Sequence, residues 1–96
     1  MIGALANTFL RDTNLHSMNF VGVDFGKAIL RRADLSGANL SGTDCKSVNI
    51  DSCDLQSVIL TKSKNLTQKA VNCAKGSAQT ELPIGLVKPD HWLEVE

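Results

Sequence analysis

The chain has no net charge, no apolar run long enough to cross a bilayer and no paired-cysteine framework, and each lack removes a class of protein. Ten basic and ten acidic residues cancel over the 96 residues. They also cancel locally, six against six up to Lys62 and four against four beyond it. Such a balance demands neither a polyanionic nor a polycationic partner, so nucleic acid is not an expected ligand. A spanning helix would need about 20 apolar residues in succession. The first residues lack the charged and apolar regions of a secretory leader. Three cysteines with no C-x-x-C spacing build no disulfide scaffold, and a reduced, cytoplasmic setting is expected. No Gly-rich phosphate loop, HExxH motif or nucleophile elbow occurs, so neither catalytic residues nor cofactor are expected. The length suits one domain, close to the lower size at which a core sustains itself.

What the chain does have is a period of five. Every fifth residue from Leu5 is apolar: Leu5, Leu10, Leu15, Phe20, Phe25, Leu30, Leu35, Leu40, Cys45, Ile50, Leu55 and Leu60. Two positions earlier runs a register of mostly small residues: Gly3, Thr8, Thr13, Met18, Val23, Ala28, Ala33, Ala38, Thr43, Val48, Cys53 and Val58. Asn or Asp fills eight of the twelve positions between the two registers, and Ser, Gly, Lys, Arg, Asn and Asp crowd the two positions that follow. A helix of 3.6 residues per turn would scatter such a pattern around its whole surface. Extended backbone uses it directly, because residues two apart point to the same side. Each unit then sends its small residue and its Leu or Phe inward, the intervening Asx faces out, and polar turn residues carry the chain to the next side. Period alone leaves the number of sides open.

The run Ala33-Asp34-Leu35-Ser36-Gly37-Ala38-Asn39-Leu40-Ser41-Gly42 resembles the A(D/N)LXX signature of pentapeptide-repeat proteins. The resemblance covers residues 3–62 as twelve repeats, with departures at Gly3, Met18 and Cys45 and at the non-Asx positions Ala4, Phe9, Ile29 and Ile59. It implies an all-β solenoid, a right-handed quadrilateral β-helix with four repeats per coil and hence about three coils. Residues twenty apart would then stack, giving inner columns Leu5/Phe25/Cys45, Leu10/Leu30/Ile50, Leu15/Leu35/Leu55 and Phe20/Leu40/Leu60. The resemblance also implies a function class: a structural or protein-interaction module, or else a DNA-mimicking modulator of DNA gyrase or topoisomerase. Zero net charge and a short rod speak against the second, since the phosphate field cannot be imitated.

After Lys62 the pattern stops, and residues 63–96 form a second segment. Thr67 suits the N-cap of a short helix through Ala74, with Leu66 and Val71 as its hydrophobic staple and Gly76 at C′. The remainder, Leu82-Pro83-Ile84-Gly85-Leu86 and Pro89-Asp90-His91-Trp92-Leu93, reads as irregular chain similar to the ends of short bacterial pentapeptide-repeat proteins. Solenoid ends expose apolar rings and unpaired backbone, so Ala70, Val71 and Ala74 are expected to cap the last coil over Leu55 and Leu60.

Candidate sites are few. Phe9 and Ile29 stand where Asx is expected and should stack above Asn49. Arg11 and Arg31 stack nearby, beside Arg32 and Lys27, with Asp12 and Asp51 partly neutralising them. Together they form a candidate interaction surface. His16, above Ser36 and Gln56, reads as a solvated surface histidine, and His91 as a packing residue beside Trp92. Cys45 and Cys53 read as small core hydrophobes rather than metal ligands, and Cys73 as an exposed thiol without activation. The first coil, with Leu5, Leu10, Leu15 and Phe20, presents an apolar ring that a second copy would cover across a two-fold axis, giving a homodimer.

Overall fold

A computed structural model describes residues 4–93; Gly3, the first residue of the small register, lies outside them. The backbone winds as a four-sided coil. Parallel bridges join residues twenty apart: Ala4 to Asp24 to Asp44 to Lys64 on the first side, and Phe9 to Ile29 to Asn49 on the second. The third side pairs Asn14, Asp34 and Asp54, and the fourth Asn19, Asn39 and Ile59. These are isolated bridges rather than named strands. The reason lies in the repeat. Each side is only about three residues long between four-residue turns, such as the turn closed by the Thr8 amide on the Leu5 carbonyl.

One repeat shows how the backbone is satisfied. The Asp34 amide donates to Thr13 O in the previous coil, and the Leu35 and Gly37 amides donate to Asp54 O and Gln56 O in the next. The Ala33 amide closes the preceding turn on Leu30 O. That leaves the Ser36 amide, which donates to Oδ1 of Asp34 at 2.9 Å. All eight intermediate Asx residues, from Asn14 to Asp54, accept such a bond from the amide two residues on. The Asx preference therefore has a cause: the side chain takes up the one amide per repeat that neither the inter-coil ladder nor the turn bond satisfies. The residue after that amide has a positive φ in every repeat, from Asn7 (64°) to Lys62 (62°). Only Gly22, Gly37 and Gly42 are glycine there, so the turns hold Ser, Lys, Arg, Asn and Asp in a left-handed conformation that costs each residue some stability.

The lumen is filled. Phe25, Leu30, Leu35, Leu40, Leu55 and Leu60 are buried, as are Ile50, Cys45 and Cys53. The space left along the axis is ≈10 Å³, about one water at most and wholly apolar in its lining. Phe20 packs edge-on against Phe25, ring centres 5.3 Å apart. Burial weakens towards the N-terminal coil. Leu15 and Phe20 are buried, but Leu5 and Leu10 are only partly so. Met18, an inward position by register, is exposed, because a long side chain in a column shared with Ala38 and Val58 escapes where no described coil lies above it.

The repeat ends at Lys62, but coiling does not. Asp44 pairs with Lys64, Asp54 with Lys75 and Ile59 with Glu81, so the tail makes a further, irregular turn on three sides. On the second side it forms helix α1, Gln68–Asn72. Thr67 caps the helix by accepting from the Ala70 amide. The C-cap is Cys73. Gly76 is therefore not the C′ residue expected from sequence; it lies under Trp92, where a Cβ would come within 2.4 Å of the indole. Val71 and Ala74 join the same buried cluster as Leu55 and Leu60, and Leu66 packs against it. Thr80, also buried, donates to Leu55 O. The Trp92 indole N–H donates to Ala74 O at 2.9 Å, and the Gln68 amide group both donates to and accepts from the Val87 backbone.

Candidate functional site

The second side of the coil carries the candidate surface. Its outward column would be Asx in every coil, yet Phe9 and Ile29 occupy the first two places. With a bridge beneath each, their backbones are fixed one above the other. Phe9 is 81% exposed and Ile29 half-buried, with Asn49 below. Without an Asx there, the Arg11 and Arg31 amides have no side-chain acceptor among the described residues.

On the adjoining corner Asp12 and Arg32 form a two-point ion pair, Nε to Oδ1 at 2.7 Å and Nη2 to Oδ2 at 3.0 Å. The hydrogen bond from Arg32 holds the Asp12 carboxyl below its usual range, and the same bond raises the Arg32 pKa. Both are exposed, so this pair adds little stability. It does withdraw Arg32 from the free basic surface. Arg11 and Arg31 form no ion pair with a described residue and remain exposed. The same side continues into a shallow groove of ≈290 Å³ between the third coil and α1, lined by Val48, Asn49, Asp51, Thr67, Lys69, Ala70 and Cys73. The groove depends on α1 replacing a regular fourth-coil side, which no periodic signal announces.

The cysteines separate by burial. Desolvation pushes the Cys53 thiol up to about 12, with Asp54 and Asp34 adding to it, and desolvation likewise raises Cys45. Cys73 is exposed. No group of three or more His, Cys, Asp or Glu side chains among the described residues could hold a metal ion. No helix of the described residues is long and apolar enough to cross a membrane.

On the third side His16 is not merely solvated. Its Nδ1 lies 3.0 Å from Ser36 Oγ and its Nε2 3.1 Å from Ser17 Oγ, while Ser36 Oγ donates to Asp34 at 2.6 Å. Sequence gives the stacking of His16 on Ser36. It does not show that Ser36 turns towards Asp34 and so links a carboxylate to the imidazole. His91 accepts no partner of that kind; its Nε2 lies 3.1 Å from Ala74 O, beside the indole bond from Trp92.

The family of pentapeptide repeats matches the chain in eight copies, over residues 4–36, 19–56 and 28–64. No curated protein matches the sequence. Among solved structures, the pentapeptide repeat protein Rfr23 from the cyanobacterium Cyanothece 51142 superposes with a TM-score of 0.73 at 26% identity, over 82% of this chain and 53% of its own. The pentapeptide repeat protein alr5209 from Nostoc Pcc 7120 gives a TM-score of 0.62 at 26% identity, over 88% of this chain and 77% of its own. This chain thus spans about half the length of the first relative.

Proposed function

The chain belongs to the pentapeptide-repeat family, and from that premise we propose that it is a non-enzymatic protein-interaction module, a stiff right-handed quadrilateral rod whose second side meets a protein partner. The exposure of Phe9 carries this reading. A phenyl ring at 81% exposure, aligned over Ile29 and flanked by Arg11 and Arg31, has the mixed aromatic and arginine character of interface centres. The filled lumen supports an assignment to surfaces rather than pockets. Parallel affinity capture from the native cell with the wild-type chain and with Phe9→Asp tests it. A protein retained by the first and lost from the second supports the interface; identical recoveries refute it.

In this reading residues 3–62 are the presenting rod, and 63–96, with α1 at their start, cap its end. Buried Val71 and Ala74 support the cap, because without them Leu55 and Leu60 would lose cover. Removal of residues 64–96 is expected to cause aggregation, and a monodisperse, folded truncation would refute the cap. The first coil is assigned to self-association. The amides of Phe9, Asn14 and Asn19 have no backbone partner among the described residues, and a row of such amides can template pairing with a second copy. Light scattering across a concentration series should show a homodimer that Leu5→Asp or Leu10→Asp dissociates; a strict monomer with an ordered first coil argues against it. Three free thiols support a reducing, cytoplasmic setting. Modulation of DNA gyrase is disfavoured by zero net charge, and an unaltered supercoiling assay is the expected result.

A further inference from the structure

We propose that Ser17 is an activated hydroxyl, poised by His16 to take an acyl group from an activated ester. The hydrogen bonding sets the roles. Ser36 has one hydroxyl proton, and it goes to Asp34 at 2.6 Å. Ser36 Oγ must therefore accept from His16 Nδ1–H at 3.0 Å. In the neutral imidazole Nε2 is then the basic nitrogen, and Ser17 Oγ is the group within its reach, at 3.1 Å. A nucleophile, a base and an orienting group in series form the general arrangement for activating a hydroxyl. Asp34 is kept ionised by the bonds it accepts from the Ser36 hydroxyl and amide, so the chain of donors keeps its direction.

The coil supplies the remaining conditions. Ser17 sits on the turn in a left-handed conformation, φ 59°, and is exposed. The residue stacked over it in the next coil is Gly37, where a Cβ would approach Ser17 Oγ to 3.1 Å. The absence of a side chain there leaves the oxygen open to a reagent.

In the reaction Ser17 Oγ bonds to the acyl carbon while its proton passes to His16 Nε2. The bond from that carbon to the leaving oxygen breaks, and the electron pair departs with the alcohol or phenol oxygen. The Ser17 amide already donates to Ser36 O and the Met18 amide to Leu15 O, so neither amide of this turn is free to stabilise an oxyanion. The event is accordingly a single acylation of the protein and not turnover, which is compatible with a non-enzymatic module. Ser17 and His16 touch the reacting atoms; Ser36 and Asp34 act as positioning residues.

The molecule contains its own controls. Ser47, Ser52 and Ser57 occupy the same turn position, with φ of 58°, 57° and 57°. All three are exposed, and none has a hydrogen bond from its hydroxyl to an imidazole. The full chain is treated with 4-nitrophenyl acetate, and acetyl groups are located by peptide mass spectrometry over time. General-base assistance is worth about 100-fold or more in enclosed sites, and an exposed imidazole should give at least about tenfold. Ser17 should therefore be acetylated at least about ten times faster than the other three serines. His16→Gln should bring it down to their rate. Ser36→Ala should lower the ratio of Ser17 to Ser52 labelling, and Ser36→Thr should restore it, a readout that a merely structural role would not move. Equal labelling of the four serines in the wild type, a preference that survives His16→Gln, or an adduct retained on His16 instead of Ser17 would each overturn the proposal.

Discussion

Replacement of Gly76 by alanine should unseat Trp92 while leaving the repeat coils wound. Gly76 has no positive φ, so alanine suits its backbone, and the effect comes from space alone. A Cβ would lie 2.4 Å from Cδ2 and 2.6 Å from Cε2 and Cε3 of the indole. Carbon atoms rest about 3.5–4.0 Å apart, so the ring must retreat by about 1 Å or more. It has no slack for this, because its Nε1–H is bonded to Ala74 O at 2.9 Å and the ring is 3% exposed. A strained accommodation costs about 1–3 kcal/mol, and outright loss of the buried ring about 3–5 kcal/mol. Each kcal/mol moves the Tm of a domain this size by about 4–8 °C, so a fall on the order of 10 °C is expected. Trp92 is the sole tryptophan and tyrosine is absent, which makes emission a direct report. Gly76→Ala should shift it to the red and open it to acrylamide, with the far-UV circular dichroism of the coils retained. Adding Trp92→Leu to Gly76→Ala should recover part of the lost Tm. An unaltered emission maximum and Tm would refute the packing argument.

Three further outcomes follow from burial and charge. Leu40→Asp places an unpaired carboxylate in an apolar column and should abolish cooperative unfolding; a soluble, cooperatively melting variant would overturn the inward register. With Ellman's reagent at pH 8, one thiol per chain, Cys73, should react quickly, and Cys45 and Cys53 only after denaturation; two or more fast equivalents would contradict their burial. The carboxyls of Asp34 and Asp44 are held below the usual carboxylate range by bonds from Ser36 and Asn65 respectively. Depressed folded pKa values contribute stability that is fully present above the unfolded value and lost as pH falls through the folded ones. Tm should therefore stay level from pH 7 to about 5 and drop only below about 4; a decline already under way at pH 6 would exclude these carboxylates as the acid trigger.

The coil was readable because one residue in five is forced. Leu35 and Leu40 can only face a lumen, and Asp34 and Asn39 recur because each turn strands one amide. The four sides came from family resemblance, and the bridges of Phe9 to Ile29 and Ile29 to Asn49 give the register those sides imply. Thr67 was legible as a cap because capping is local chemistry. The tail's extra turn was not. Lys64, Lys75 and Glu81 take successive places on the coil at unequal spacings that no period reveals, and the contact of Gly76 with Trp92 joins residues by tertiary packing alone. The link from His16 to Asp34 escaped for a related reason: stacking locates Ser36 beneath the imidazole, but the direction of a hydroxyl is set by competition among its neighbours.

Core and surface in this rod keep different time. The lumen counts in fives and the faces count in twenties, so the two respond differently to a change of length. Inserting one pentapeptide after Leu15 would leave every downstream leucine of the repeats pointing inward. Everything after it would nevertheless rotate by a quarter turn about the axis. Ile29 would leave its place next to Phe9 and Arg32 would part from Asp12, while His16 and Ser36, both beyond the insertion, would stay stacked. Four inserted units restore the phase and move the coils apart instead. Folding is thus insensitive to a slip that scrambles every face straddling the insertion, and single-repeat insertions can be used as a rotary dial to test which of those faces a partner reads.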